Sequence, residues 1–212
     1  MSRYAVKEIV YTLQGEGART GRAAVFCRFA GCNLWSGQEA DRESAACGFC
    51  DTNFVGTDGI GGGLFTAAEL VSALASTWPA ASSRARRYVV FTGGEPLLQL
   101  DRALVAACHE ASFEVAVETN GTLPVPPGVD WLTVSPKAGT PLVITAGDEL
   151  KLAFPQAALS PAALGGLAFA HFFLQPIAGS ELVANTRAAL AYCLAHPEWR
   201  LSLQTHKFLG IP

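Results

Sequence analysis

Three cysteines in the first quarter of the chain have the spacing of a metal-binding loop. Cys32 and Cys47 are separated by 14 residues, Cys47 and Cys50 by 2, and Asp51-Thr52 follows at once. A four-iron cluster is usually held by four thiolates. Three thiolates from one loop would leave one iron free to bind a substrate or a cofactor. If the loop holds an iron–sulfur cluster, this spacing therefore indicates a catalytic cluster rather than one that only transfers electrons.

Cys27 allows a second interpretation of the same segment. Counting it gives the pattern C-x4-C-x14-C-x2-C, which is compatible with a four-thiolate structural zinc site. Spacing alone does not separate zinc from an iron–sulfur cluster. The predicted strand 24–29 argues against zinc, because Cys27 and Arg28 are consecutive strand residues and point to opposite faces. If Arg28 faces a pocket, Cys27 faces away from it.

Composition limits the class of protein. The chain has 212 residues, of which half are apolar and 16% are charged, so it is expected to form one compact domain over residues 1–212. A net charge of −3 leaves no large basic surface for nucleic acid. The first 17 residues lack the apolar segment of a secretory signal, and the most apolar stretch is too short and interrupted to span a bilayer. We therefore predict a cytoplasmic protein without membrane contact, in which clustered thiols bind metal rather than form disulfides.

Short apolar runs that end in polar residues predict parallel strands covered on both faces. These runs are 24–29, 88–92, 114–118, 131–135, 149–154, 171–175 and 200–204. Three helices are predicted, one after a capping box at Thr66, one from Asp101 and one capped by Ser180. A closed eight-fold barrel usually needs about 250 residues. The prediction is an α/β fold, an incomplete, open parallel (β/α) barrel of about six strands with fewer helices than strands, and a glycine-rich loop at 56–64.

Polar groups follow nearly every predicted strand. In chain order they are Arg28, Thr92-Gly93-Gly94-Glu95-Pro96, Glu118-Thr119-Asn120-Gly121, Ser135-Pro136-Lys137, Gln175-Pro176 and Gln204-Thr205-His206. Only the strand 149–154 lacks such an ending. Active sites of parallel barrels form at the carboxyl ends of the strands, so these groups are predicted to line one site. His171 alternates with apolar neighbours and is predicted to be a core residue.

The combined pattern resembles the radical S-adenosylmethionine (SAM) superfamily. Cys32, Cys47 and Cys50 match its three cluster ligands, and Gly93-Gly94-Glu95-Pro96 matches its strand-two motif. One departure is the insert 33–46 within the cluster loop 32–50, because the superfamily usually has three residues there. Closing the longer loop costs only about 1 kcal/mol in entropy, so the cluster assignment stands.

Six motifs in one order narrow the resemblance to the 7-carboxy-7-deazaguanine synthases. They are Leu13-Gln14-Gly15-Glu16-Gly17, Cys50-Asp51-Thr52, Thr92-Gly93-Gly94-Glu95-Pro96, Glu118-Thr119-Asn120-Gly121, Ser135-Pro136-Lys137 and Gln175-Pro176. The resemblance implies a radical SAM carbon–nitrogen lyase. Hydrogen abstraction from 6-carboxy-5,6,7,8-tetrahydropterin, radical ring contraction and loss of ammonia would give 7-carboxy-7-deazaguanine, in 7-deazapurine (queuosine) biosynthesis.

The same resemblance implies cofactors and partners. The cofactors are a [4Fe–4S] cluster, SAM, which is regenerated, and Mg²⁺. The expected partners are the small pterin substrate, a flavodoxin or ferredoxin as electron donor, and a second copy of the chain in a homodimer.

Residue roles follow from matching each position to a motif. The implied metal ligands are Cys32, Cys47 and Cys50 for the cluster and Thr52 for Mg²⁺. The implied SAM contacts are Phe49, Gly93, Gly94, Glu95, Glu118, Asn120, Ser135, Pro136, Lys137, Gln175 and Pro176. The implied substrate contacts are Leu13, Gln14, Gly15, Glu16, Arg28, Thr92, His206 and Pro212, with Glu16, Arg28 and His206 as catalytic residues. The planar fork of Arg28 suits a substrate carboxylate, and Glu16 can accept from a pair of pterin N–H groups.

Two other functions remain open on the sequence. A radical SAM activase, which makes a glycyl radical in a partner protein, shares the cluster and the Glu118-Thr119-Asn120-Gly121 element. Arg28 favours a small carboxylated substrate instead. A zinc-stabilised binding module built on Cys27, Cys32, Cys47 and Cys50 would not be an enzyme at all.

Overall fold

The computed structural model describes residues 3–79 and 85–212. Within these residues the strands are β1 (Tyr4–Leu13), β2 (Ala23–Phe29), β3 (Gly63–Phe65), β4 (Arg87–Gly93), β5 (Phe113–Thr119), β6 (Trp131–Val134), β7 (Ala146–Phe154), β8 (Ala168–Pro176) and β9 (Trp199–Leu201). They form one sheet in the order β3-β1-β2-β4-β5-β6-β7-β8-β9. From β2 to β9 all neighbours are parallel, whereas β1 pairs antiparallel with both β2 and β3.

The α/β class, the mostly parallel sheet and the shortage of helices are confirmed, and the sheet is not closed. Each of the seven predicted runs overlaps one parallel strand. The expected count of about six strands is not confirmed, because the sheet described here contains nine. Two of them were not predicted: β1 precedes the first predicted run, and β3 takes up the end of the glycine-rich segment, where Phe65 pairs with Tyr4.

The helices are α1 (Ala67–Thr77), α2 (Arg102–Glu110), α3 (Leu182–Ala195) and α4 (Thr205–Leu209). The capping box at Thr66 is confirmed, and Asp101 caps α2 through the N–H of Leu104. The predicted cap at Ser180 is wrong, because Glu181 holds the N-cap position of α3 and its side chain makes no capping bond. The single turn α4 was not predicted, since five residues are too few to show a helical period.

The core lies between the sheet and its helices. Leu70 and Leu74 of α1 and Leu104 of α2 are fully buried, and the segment 88–92 of β4 is buried throughout, as expected for a strand covered on both faces. The parallel register places neighbouring strand ends side by side, for example Arg28 beside Thr92. Polar residues at these ends therefore meet at one edge of the sheet.

The capping box gives a stability prediction. Thr66 accepts from the N–H of Glu69 at 3.3 Å, and Glu69 accepts from the N–H of Thr66 at 2.8 Å. Thr66→Ala removes the first bond and should cost about 1 kcal/mol, which lowers the melting temperature by about 2–4 °C. Ser72→Ala, at an exposed position inside α1, is the control and should not destabilise the fold. Equal melting temperatures for Thr66→Ala and the parent chain would contradict the capping role.

Candidate active site

One cavity of about 530 Å³ opens at the carboxyl ends of the parallel strands. The predicted site residues that line it are Leu13, Gln14, Gly15, Glu16, Arg28, Cys32, Cys47, Phe49, Cys50, Thr52, Thr92, Gly93, Gly94, Glu118, Asn120, Ser135, Lys137, Gln175, Pro176, His206 and Pro212. Residues that are up to 199 positions apart in the sequence thus share one wall. Their individual roles as ligands remain predictions.

The three cysteines of the cluster loop face this cavity with free thiols. A hydrogen bond from Cys47 lowers the pKa of Cys50 to about 6, against the opposing effect of burial. Gly94 packs against the loop from β4. A Cβ at Gly94 would lie 2.2 Å from the oxygen of Gly31 and 2.7 Å from the Cβ of Cys32, so only glycine fits beside the first cysteine.

The donor geometry fits a multi-iron cluster better than a single zinc ion. Zinc requires every sulfur at about 2.3 Å from one point. In residues 3–79 and 85–212, no three His, Cys, Asp or Glu side chains converge closely enough to hold one metal ion. Cys27 is fully buried in the core of β2, whereas Arg28 lines the cavity. A four-iron cluster gives each thiolate its own iron, which suits three cysteines that share a cavity without converging on one point.

The long insert of the cluster loop is folded against the loop itself. The Arg42 guanidinium lies 4.1 Å from the ring centroid of Trp35. Its Nη1 donates to the backbone oxygens of Gly48 at 2.9 Å and of Cys50 at 3.0 Å, while Glu39 accepts from its Nε and Nη2. Trp35 is buried and packs edge-on against Phe54. The insert therefore braces the segment that carries two of the cysteines.

Lys137 and Ser135 form a polar corner near the cysteines. Lys137 Nζ donates to the backbone oxygen and the hydroxyl of Ser135 at 2.6 and 2.7 Å, and lies 6.0 Å from the ring centroid of Phe49. Burial lowers the pKa of Lys137, and the nearby Cys47 and Cys50 oppose this shift. A cation beside the cysteine loop suits an anionic ligand such as an amino-acid carboxylate.

Arg28 projects into the cavity from the end of β2. Its Nε donates to Glu8, its cross-strand neighbour on β1, at 2.8 Å. Among the described residues, no side chain or backbone group accepts from its Nη atoms. The guanidinium is thus held in place by one carboxylate and keeps an edge with which it can bind another.

A cluster of charged side chains, Glu16, Glu118 and Lys151, forms another part of the cavity wall. Glu16 accepts from Lys151 Nζ on β7 and from Gln204 Nε2 at 3.0 Å. Burial opposes ionisation of Glu16, but the charge of Lys151 and the hydrogen bonds outweigh burial and lower the pKa of Glu16 to about 2. Glu118 and Glu149 lie close enough to help raise the pKa of Lys151, against its burial. Glu16 is therefore ionised at any physiological pH.

The C-terminal segment forms part of the cavity wall, through His206, Lys207 and Pro212. His206 packs on Gly15, where a Cβ would lie 2.2 Å from His206 Nδ1. Thr205 donates to the oxygen of Gly15 through both its N–H and its hydroxyl. Lys207 Nζ donates to Asp51 at 2.6 Å. The segment therefore joins the loop after β1, at Gly15, to the cysteine loop, at Asp51.

Comparisons with known proteins agree on one family, although no family model matches the chain. It is 64% identical to 7-carboxy-7-deazaguanine synthase of Bordetella pertussis over 210 residues, 99% of each chain. It is 61% identical to the enzyme of the same name from Bradyrhizobium diazoefficiens over 98% of this chain and 99% of the relative. Among solved structures, QueE from Escherichia coli matches with a TM-score of 0.68 and 29% identity, covering 96% of this chain and 95% of that one.

The chain belongs to the 7-carboxy-7-deazaguanine synthase family. It is accordingly a radical SAM lyase of queuosine biosynthesis, and membership implies a [4Fe–4S] cluster and SAM as cofactors. The resemblance drawn from the six motifs is confirmed. The activase and the zinc-stabilised module are set aside, since relatives at this identity and coverage carry the synthase name. No helix among the described residues has the length and apolar character needed to cross a membrane.

Two residues predicted to contact SAM in this synthase do not line the cavity, Glu95 and Pro136. Glu95 is fully buried behind the wall. It accepts from the Thr119 hydroxyl at 2.7 Å, the N–H of Asn120 at 2.8 Å and the N–H of Leu97 at 2.9 Å. Burial raises the pKa of Glu95, and these hydrogen bonds oppose the rise. In this structure Glu95 links the ends of β4 and β5, and its contact with SAM stays a prediction.

Several polar residues that line the cavity were not predicted. They are Lys7, Glu8, Asp51, Asn53, Thr133, Lys151 and Lys207. Glu8, Thr133 and Lys151 lie inside strands. The pattern that predicts the site consists of the residues that follow each strand, so it does not include them. The alternation of Glu149, Lys151 and Ala153 along one face of β7 was the available signal for Lys151. The sequence does not show that this face turns toward the cavity.

The close fit at Gly94 gives a prediction about the cluster. Gly94→Ala would push Cys32 or the backbone at Gly31 out of place. After anaerobic reconstitution the parent protein should hold about four irons, and the variant clearly fewer. Gly166→Ala, an exposed position with open space around it, is the control and should load fully. Full iron loading in Gly94→Ala would contradict the packing described here.

The brace formed by Arg42 gives a second prediction. Arg42→Gln removes both charge-assisted bonds to the backbone oxygens of Gly48 and Cys50. The variant should release iron to a chelator about tenfold faster or more, measured by iron-release kinetics. Glu39→Gln alters only the exposed side of the same arginine and should release iron at the parent rate. Equal rates in all three proteins would remove the bracing role of the insert.

Proposed function

We propose that this chain converts 6-carboxy-5,6,7,8-tetrahydropterin to 7-carboxy-7-deazaguanine with loss of ammonia. One observation carries the proposal: three free cysteines and two opposite-charge recognition groups, Arg28 and Glu16, face the same cavity. An enzyme that uses a cluster to act on a small polar substrate needs the cluster ligands and the substrate-binding groups in the same cavity. Family membership supplies the name of the reaction.

Arg28 and Glu16 would fix the two ends of the substrate. The free edge of the Arg28 guanidinium binds the substrate carboxylate, while Glu8 keeps the guanidinium in position. Glu16 accepts from an N–H group of the pyrimidine ring. A carboxylate has about four lone-pair sites. Lys151, Gln204 and Gln175 bind the carboxylate of Glu16, which leaves one site for the substrate. Leu13, Gln14, Gly15, Thr92 and His206 complete the pocket, and Pro212 accepts from the Thr12 hydroxyl at its rim.

Cys32, Cys47 and Cys50 would hold the [4Fe–4S] cluster. Lys137 and Ser135 would bind the carboxylate end of SAM, the backbone at Gly93 and Gly94 its amine, and Phe49 its adenine. Glu118, Asn120, Gln175 and Pro176 line the same part of the cavity. When bound, the cluster and SAM supply a radical that removes hydrogen from the substrate. The protein's part is to hold both molecules in one cavity.

Mg²⁺ is proposed at Thr52, whose residue lines the cavity next to Cys50. One protein hydroxyl is enough for Mg²⁺, which usually keeps several waters and takes other oxygens from a substrate. A cation at the substrate carboxylate would acidify the carbon that must lose a proton.

We also propose a flavodoxin or ferredoxin as the electron donor in the cytoplasm, and a homodimer. The dimer proposal rests on α3, where the exposed apolar side chains are Leu182, Val183, Leu190 and Leu194. Sedimentation of the parent chain should give a dimer, and Leu194→Glu a monomer. A monomeric parent chain would contradict the dimer proposal.

The direct test is turnover of the anaerobically reconstituted protein with SAM, reductant, Mg²⁺ and the tetrahydropterin. The product 7-carboxy-7-deazaguanine should form without any added protein, which an activase would need. A loaded protein that leaves the pterin unchanged would overturn the proposal. Omission of Mg²⁺ should lower the rate.

Arg28→Lys tests the substrate carboxylate contact. Lysine cannot reproduce the fork, so the lost bidentate bond should raise KM by about 10–100-fold, measured by steady-state kinetics. Arg200→Lys, at an exposed position on β9, is the control and should leave KM unchanged. An unchanged KM in Arg28→Lys would contradict the contact.

A further inference from the structure

Lys151 is a buried lysine in the middle of a strand, and the proposed chemistry has not yet used it. Its side chain is only 7% exposed, and the carboxylates of Glu16, Glu118 and Glu149 surround it. Removing an ammonium group from water costs several kcal/mol even after relaxation. Lys151 nevertheless lines the cavity, whereas the adjacent Leu150 and Leu152 point to the other face of β7 and are fully buried.

Of the three carboxylates, only Glu16 is tied directly to Lys151. Glu149 accepts from the N–H of Ala18 at 2.8 Å and so anchors the loop that follows Glu16. Glu118 accepts from Gln14 Nε2 at 2.8 Å. Glu16 stands on that loop, outside any strand, and its two oxygens are held by Lys151 and Gln204. Lys151, which lies on a strand of the sheet, therefore holds in place the carboxylate of Glu16, which lies on a loop.

We propose that Lys151 is a positioning residue for substrate binding, which holds the Glu16 carboxylate charged and aimed into the cavity so that it accepts from an N–H group of the substrate. The inference rests on the proposed function, in which Glu16 contacts the pterin. Lys151 acts through Glu16 and needs no contact with the substrate.

The surrounding charges give this proposal a pH signature. Burial raises the pKa of Glu16, and Lys151 more than offsets the rise, bringing that pKa down to about 2. The other groups that face the pair are Glu118 on β5, Glu149 on β7, Lys137 after β6 and His206 on α4. Without Lys151, burial and the neighbouring carboxylate of Glu149 would raise the pKa of Glu16. Its charge, and with it substrate affinity, would then be lost as the pH falls through the raised value.

The test is equilibrium binding of the tetrahydropterin to reconstituted protein with SAM but no reductant, so that no turnover occurs, between pH 5 and 9. In the parent protein Glu16 should stay ionised, so its protonation should not weaken binding between pH 7 and pH 5. Lys151→Met should bind about tenfold more weakly at pH 7, and more weakly still at pH 5.5. Arg102→Met, which removes an exposed positive charge at the start of α2, should keep the parent affinity and pH profile.

A double-mutant cycle separates the possible outcomes. If Lys151 acts through Glu16, adding Lys151→Met to Glu16→Gln should change the Kd by less than about twofold. The double variant also removes both charges of the pair, so it remains measurable if the single Lys151→Met protein fails to fold. A further large loss in the double variant, or a parent-like Kd and pH profile in Lys151→Met, would overturn the inference and leave the proposed function standing. Parent-like binding by Glu16→Gln would instead remove the Glu16 contact from the proposed function, and the inference with it.

Discussion

The parallel alignment of the strands from β2 to β9 is the constraint on which the site depends. Their carboxyl ends share one edge of the sheet, so each strand delivers its own polar group to the same cavity without a long loop. Arg28 beside Thr92 and Glu118 beside Thr133 are direct consequences of this register. The antiparallel strand β1 adds Glu8, which supports Arg28, and leads into the loop that carries Glu16.

The second requirement of the site is a partner for each buried charge. A carboxylate or an ammonium group inside a folded protein costs several kcal/mol unless it is paired and hydrogen-bonded. The cavity meets that cost with neighbouring partners: Glu8 for Arg28, Lys151 for Glu16, and Ser135 for Lys137. Such fixed charges need no reorganisation when a polar ligand enters. The insert 33–46 fixes the backbone of the cysteine loop in a similar way, because Arg42 donates to the backbone oxygens of Gly48 and Cys50.

The sequence predicted the seven parallel strands, the cysteine loop and most of the cavity wall, because apolar runs and the polar groups after them are local patterns. It did not predict β1, or Lys151 as a cavity residue, since the exposure of a strand face depends on what the rest of the chain packs against it. Ser180 lies one residue before the N-cap position, which Glu181 takes without a capping bond, and helix ends are the least certain part of a sequence-based assignment. Glu95 shows a different limit: its motif was recognised, but only the structure shows that its oxygens bind backbone and hydroxyl groups of its own fold.

The central claim is that three cysteines hold a cluster with one open iron, in the cavity that also binds the substrate. Electron paramagnetic resonance of the reduced, reconstituted protein tests this claim most directly, recorded before and after addition of SAM. The account predicts a [4Fe–4S]⁺ signal whose g values shift when SAM binds the open iron, and the same shift in Cys27→Ala. A signal that SAM leaves unchanged, or one that is lost in Cys27→Ala, would contradict it.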